Sequence, residues 1–189
     1  MRGLALVVAA AAALLASGCG SSKHASGPVC PAAWKQGWQK LADRIKAPVY
    51  CPSWLPDPLT GDTKGPYRNG VSVDPDRSYL VSFVFVRPPE LVQFNFRGYP
   101  GRTSIPMCRE GSRMIPCFSH PIGHRRANGV AATVYAIAQD ADTNHIAYVW
   151  KDRGTLYTIS ELVAEPYPRK QVLGNLDRAL KGLARVKPV

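Results

Sequence analysis

Two cysteines and two histidines lie close together near the middle of the chain, in an order that could bind a metal ion. Cys108 and Cys117 are followed by His120 and His124, and thiolates with imidazoles are the usual ligands of structural zinc. The spacing argues against zinc, because eight residues separate the cysteines where a zinc knuckle usually has two to four. Pro121 also disrupts a helix that would present both histidines to one ion. We therefore predict no metal site and no cofactor.

Disulfide formation is the better interpretation for four of the five cysteines. Four cysteines can pair in three ways, and we favour Cys30 with Cys51 and Cys108 with Cys117. The first bond would join the start of a helix to the strand that follows it, and the second would clamp a hairpin turn. Each bond would stabilise the fold by ~2–4 kcal/mol. Such bonds indicate an oxidising compartment outside the cytoplasm.

The fifth cysteine, Cys19, follows an apolar N-terminal stretch. Arg2 supplies a positive charge, and residues 4–16 are wholly apolar. This stretch is too short for a membrane span of about 20 residues and is typical of the core of a signal peptide. The small residues Ala-Ser-Gly then lead directly into Cys19. The stretch resembles the lipobox of bacterial lipoproteins, usually Leu-(Ala/Ser/Thr)-(Gly/Ala)-Cys, with Leu15 one position earlier than in the usual pattern.

The resemblance implies that residues 1–18 are removed as a lipoprotein signal peptide and that Cys19 carries a diacylglyceryl thioether. Two or three acyl chains would hold the protein on the outer face of the cell membrane, because each buried methylene contributes ~0.8 kcal/mol. Residues 19–28 are small and polar and would form a flexible tether. Residues 29–189 would form a single globular domain. The alternative is an ordinary secretory signal cut nearby, with Cys19 as a spare thiol.

The chain is basic, with a formal net charge of +11 and 46% hydrophobic residues. An exported location argues against nucleic acid as a partner. Anionic lipid headgroups or acidic wall polymers are the remaining specific partners, and a solvated basic surface without a partner is the other interpretation. One segment concentrates the charge against a single acid, Glu110, and we predict a basic patch formed by Arg97, Arg102, Arg109, Arg113, Arg125 and Arg126.

The hydrophobic periodicity predicts strands grouped between two helices. Apolar residues recur at helical spacing over residues 31–46, and again, as leucines, over residues 170–186. Alternating patterns predict a hairpin over residues 78–97 and a three-stranded meander over residues 129–162, with short extended pieces at 49–51 and 71–73. Residues 98–126 have no regular pattern. The order predicts an α+β fold, in which a curved antiparallel sheet has two helices packed on one face.

Residues 49–56 read Val-Tyr-Cys-Pro-Ser-Trp-Leu-Pro. They are similar to a Pro-x-Tyr-Leu-Pro segment of several uncharacterised bacterial envelope domains, the sporulation and anti-sigma-associated domains. The stretch Val-Trp-Lys-x-x-Gly-Thr-Leu-Tyr-Thr-Ile at residues 149–159 and the leucine-rich helix after it look like the C-terminal half of those domains. They are related in shape to the lipoprotein-carrier fold. The resemblance implies a half-closed antiparallel sheet over residues 49–186, with helices on its concave side, and carries no ligand residues with it.

Catalytic patterns are weak in this sequence. There is no Gly-x-Ser-x-Gly motif. Glu161 and Glu165 could form a carboxylate pair, but no neighbouring motif orients them, and Asp140 with Asp142 fits a hairpin turn better than a calcium loop. We therefore predict a non-enzymatic binding module for a hydrophobic ligand or a protein partner. The alternatives are a structural or sensory module that contacts a membrane protein or an anionic surface, and an envelope hydrolase.

Overall fold

The computed structural model of the protein describes residues 27–137 and 143–189. The predicted signal peptide, Cys19 and most of the predicted tether lie outside the described residues, as do Asp140 and Asp142 of the predicted turn. The elements in chain order are α1 (Ala32–Ile45), β1 (Val49–Pro52), β2 (Gly70–Val73), β3 (Tyr79–Arg87), β4 (Glu90–Tyr99), β5 (Met107–Glu110), β6 (Arg113–Pro116), β7 (Pro121–Ala127), β8 (Val130–Ile137), β9 (His145–Asp152), β10 (Thr155–Leu162), α2 (Arg169–Lys181) and β11 (Leu183–Val186).

A seven-stranded antiparallel sheet organises the fold, with the strand order β2-β3-β4-β10-β9-β8-β7. The predicted hairpin is β3–β4, and the predicted meander is β8–β9–β10. The two units join where β4 pairs with β10, with Phe96 opposite Ile159. This junction places the C-terminal strand of the meander in the centre of the sheet.

Both helices pack on the same face of this sheet, which we call the helix face, and the predicted α+β class is confirmed. Trp38 and Ile45 of α1 and Leu176 of α2 are completely buried in one apolar cluster with side chains of the sheet. The Trp38 indole lies 5.3 Å, centroid to centroid, from the Phe96 ring and donates a hydrogen bond to the Gly61 carbonyl. Trp38 therefore stabilises the core.

The first and last strands of the described chain form a separate two-stranded sheet. β1 pairs with β11, with Cys51 opposite Ala184. This pairing corrects one prediction, since the final helix ends at Lys181 and does not continue to residue 186. Gly182 follows the last residue of α2 and lies close to the chain after β1, since a side-chain carbon at this position would lie only 2.2 Å from Ser53 Oγ.

The opposite face of the main sheet, which we call the hairpin face, carries a second, smaller apolar cluster. Phe118 is buried there against Val149 and Leu156, and Ile105 and Tyr135 pack at its margin. The covering segment includes the β5–β6 hairpin. Three strands that the sequence pattern did not predict, namely β5, β6 and β7, therefore lie in or begin in residues 98–126.

Candidate functional site

A groove opens on the hairpin face between the sheet and the segment that follows β4. Its volume is about 580 Å³, within the range of roughly 300–1,000 Å³ that is typical of small-molecule sites. The segment contributes Thr103, Ser104, Ile105 and Pro116, and the sheet contributes Ala131, Thr133, Tyr135, Val149, Trp150, Lys151 and Leu156.

The floor of the groove is apolar because three strands alternate there. Along β8, β9 and β10, every second side chain turns to the helix face and the others turn to the hairpin face. Val149 and Leu156 are buried at the floor, and Ile105 and Tyr135 are half-buried beside them. The hydroxyl groups of the rim and the Lys151 amine leave the opening polar.

A second hollow of about 330 Å³ adjoins the groove at the sheet edge. It shares Ala131 and Thr133 with the groove, and β7 adds His124, Arg125 and Arg126. In the register of the sheet, Arg126 lies opposite Ala131, and His124 lies opposite Thr133. Paired residues point to the same face of a sheet. The Arg126 and His124 side chains therefore lie beside the open end of the groove.

The Arg125 guanidinium forms an ion pair on the helix face of the sheet. Arg125 Nε lies 3.0 Å from Asp177 Oδ1 on α2, and the Tyr148 hydroxyl donates to the same oxygen at 2.7 Å. Burial, and then the bond to Asp177, raise the pKa of Tyr148. This pair holds β7 to α2. By contrast, Arg126 and Lys151 make no ion pair with any described residue.

The six arginines of the predicted basic patch lie on several segments. Arg97 is on β4, Arg102 is in the segment after it, Arg109 and Arg113 are on the β5–β6 hairpin, and Arg125 and Arg126 are on β7. Arg125 and Arg126 point to opposite faces because they are consecutive in a strand. Arg102 lies 3.5 Å from Asp76, and Arg113 lies 3.6 Å from Glu110. Of the six, only Arg125 and Arg126 line the hollow beside the groove.

The predicted disulfides are confirmed. Cys30 is bonded to Cys51, and Cys108 is bonded to Cys117. The first bond ties the start of α1 to β1, and the second closes the β5–β6 hairpin that flanks the groove. Two disulfides indicate an oxidising environment outside the cytoplasm. Within residues 27–137 and 143–189, no group of three or more His, Cys, Asp or Glu side chains could hold a metal ion.

The two glutamates considered as a carboxylate pair differ in their surroundings. Glu165 is exposed in the turn before α2, whereas Glu161 is completely buried on the helix face of β10. Burial raises the pKa of Glu161 to about 8, and a hydrogen bond from Asn175 opposes the shift. The hydrogen-bond partner on α2 has no signal in the sequence, since Asn175 comes from an element 14 residues away.

A polar row on the hairpin face was not predicted from the sequence. Asn95 lies opposite both Ser82 and Ser160 in the register of the sheet. The Ser82 hydroxyl donates to Asn95 Oδ1 at 2.7 Å, while the buried Ser160 hydroxyl has no hydrogen-bond partner among the described residues. The alternation of polar and aromatic residues along β4 was the available signal. It indicated a mixed face but not its neighbours across the sheet.

Comparison of the chain with models of known protein families, with curated proteins and with solved structures gave no match. Neither helix in the described part of the chain is long and apolar enough to cross a membrane.

Proposed function

We propose that this chain is a lipid-anchored envelope protein that binds a hydrophobic ligand in the groove on the hairpin face, without catalysing a reaction on it. Cys19 carries the anchor, and the groove lies on the side of the sheet that the helices leave uncovered. The observation that carries the proposal is the groove itself, with its buried floor of Val149 and Leu156.

Three features support ligand binding at this place. The floor is apolar and large enough for a small molecule. Pro116 of the wall lies within the loop that the Cys108–Cys117 bond closes, and the Cys117 amide donates a hydrogen bond to the Pro106 carbonyl next to Ile105, so this part of the wall is preorganised. The polar rim would orient a ligand that has one polar end.

The test uses the uncharged fluorescent probe N-phenyl-1-naphthylamine and the mature protein. The parent protein should enhance the fluorescence of the probe with a saturable dependence on protein concentration. Ala131→Trp should weaken binding at least tenfold, because Ala131 lines the groove from an exposed position and the indole would occupy it. Ser72→Trp, on the exposed edge strand β2, is the matched control and should bind as the parent does.

Absence of saturable binding, or equal binding by Ala131→Trp, would argue against the proposal. Circular dichroism of both variants establishes that the fold is retained in the comparison.

A second candidate function, contact with an anionic surface or a membrane protein, is favoured by the β5–β6 hairpin. Met107 and Met114 are 50% and 56% exposed, and the register places Arg109 opposite Met114 on the same face. Exposed apolar side chains beside a cation suit the interface of an anionic bilayer. Flotation with phosphatidylglycerol vesicles, compared with phosphatidylcholine vesicles, tests this function. Met107→Ser with Met114→Ser should lower the bound fraction if the hairpin makes the contact.

A further inference from the structure

The charges beside the groove identify the polar end of its ligand, if the groove binds a hydrophobic ligand as proposed above. Lys151 lines the groove, and Arg126 lies opposite Ala131, which the groove and the adjoining hollow share. None of the described residues that line either space is acidic. The open end of the groove is therefore an environment of positive charge that adjoins an apolar floor.

These two cations differ from most others in this region of the protein. Arg102, Arg113 and Arg125 each lie within 4.0 Å of a carboxylate oxygen, whereas Arg126 and Lys151 have no such partner among residues 27–137 and 143–189. A cation without a counterion beside a low-dielectric surface attracts an anion more strongly than one in open water does. The planar Arg126 guanidinium could take a carboxylate in a two-bond fork, and Lys151 would add a point charge.

We infer that the ligand is a single-chain amphiphile with a carboxylate head, a fatty acid, whose head lies between Lys151 and Arg126 and whose chain lies on Tyr135, Val149 and Leu156. A carboxylate is the smallest common anionic head, and it leaves most of the 580 Å³ for the chain. His124, opposite Thr133, lies on the same face, and its ring offers a further hydrogen-bond donor beside the head.

Isothermal titration calorimetry of the full mature protein with dodecanoate, dodecanol and dodecyl phosphate, each below its micellar concentration, tests the inference. The parent should bind dodecanoate at least tenfold more tightly than dodecanol, and raised salt should reduce this preference. The double variant Lys151→Gln/Arg126→Gln should lose about tenfold in dodecanoate affinity, as expected for two exposed charges. Its dodecanol affinity should not change.

Lys35→Gln/Lys40→Gln is the control for net charge, because it also removes two charges and both lysines are exposed on α1, on the other side of the sheet from the groove. It should bind all three compounds as the parent does. A dodecanoate preference that survives in the double variant would overturn the assignment of the head site. Tighter binding of dodecyl phosphate than of dodecanoate would overturn the assignment of a carboxylate head.

The outcomes also separate this inference from the proposed function. If the parent binds dodecanol and dodecanoate equally, the groove binds hydrophobic ligands but the assignment of an anionic head is wrong. If the parent binds none of the three, both the head assignment and the proposed ligand-binding function fail.

Discussion

Asn175 of α2 donates a hydrogen bond to Glu161 of β10, with 2.8 Å between Asn175 Nδ2 and Glu161 Oε1. Glu161 is completely buried, and its other oxygen, Oε2, has no hydrogen-bond partner among the described residues. One neutral hydrogen bond compensates little of the cost of burying a carboxylate. The pKa of about 8 therefore means that Glu161 is mostly protonated at neutral pH.

The first prediction concerns how the proton on Glu161 makes stability depend on pH. Between pH 4.5, the ordinary pKa of a glutamate, and pH 8 the folded protein retains a proton that the unfolded chain releases. The stabilising contribution is fully present below pH 4.5 and is lost as the pH rises to about 8. Glu161→Gln should flatten this decline and should raise the free energy of unfolding at pH 8 by on the order of 3 kcal/mol.

Urea denaturation of parent and variant at pH 5, 6.5 and 8 measures the effect. Glu165→Gln removes an exposed carboxyl from the following turn and should retain the slope of the parent. An unchanged slope in Glu161→Gln would mean that Glu161 is ionised in the folded protein.

The second prediction concerns the close approach of Gly98 and Tyr79. They are paired across β3 and β4, and a side-chain carbon at position 98 would lie 2.3 Å from the buried Tyr79 ring. Gly98→Ala should therefore destabilise the protein by ~1–3 kcal/mol, because the ring cannot shift in a packed core. Gly70→Ala is the control, since nothing lies within 4 Å of that position. Thermal unfolding of both variants tests the difference, and equal stability would contradict the packing described.

The third prediction separates the two disulfides. The Cys108–Cys117 bond closes a loop with a sequence separation of 9, and the Cys30–Cys51 bond one with a separation of 21. Loop entropy makes the longer bond worth ~3 kcal/mol and the shorter one slightly less. Replacing Cys108 and Cys117 by serine should nevertheless weaken probe binding more, because this hairpin flanks the groove.

The comparison uses two double-serine proteins, each measured by denaturant unfolding and by titration with N-phenyl-1-naphthylamine. Weaker probe binding in the Cys30→Ser/Cys51→Ser protein than in its counterpart would place the binding surface away from the hairpin.

Local sequence patterns predicted those elements whose structure is determined by residues close together in the chain. The spacing of Trp38, Leu41 and Ile45 predicted α1 because these residues share one buried helical face. Leu183 continued the same kind of spacing after α2 but lies in β11. Its partner strand β1 is more than 130 residues earlier in the chain, so the local pattern gave no signal of the pairing.

The groove could not be predicted from the sequence for the same reason. Its walls come from residues 103–105, from Pro116, and from three strands that assemble only in the folded sheet. Pro116 and Pro121 made the sequence of this region look irregular. Pro116 is the last residue of β6 and Pro121 is the first residue of β7, and strand ends are positions where proline is tolerated. The cysteines carried more information, since their number predicted two disulfides, and their positions in the predicted elements favoured the pairing that the structure shows.

The last prediction concerns Cys19, which the structure does not describe. The protein isolated from membranes should have an intact mass that begins at Cys19 and exceeds the polypeptide mass by a diacylglyceryl group or more. Reduction should add two hydrogens for each disulfide, which accounts for the other four cysteines. Cys19→Ala should abolish both the added mass and the cleavage after Gly18, because the thiol is the proposed site of acylation. Ser21→Ala, within the predicted tether, should be processed and anchored as the parent is. A Cys19→Ala protein that is still cleaved after Gly18 and still held in the membrane fraction would refute the lipid anchor. Retention by some other contact would then make the β5–β6 hairpin the next candidate, through its exposed Met107 and Met114.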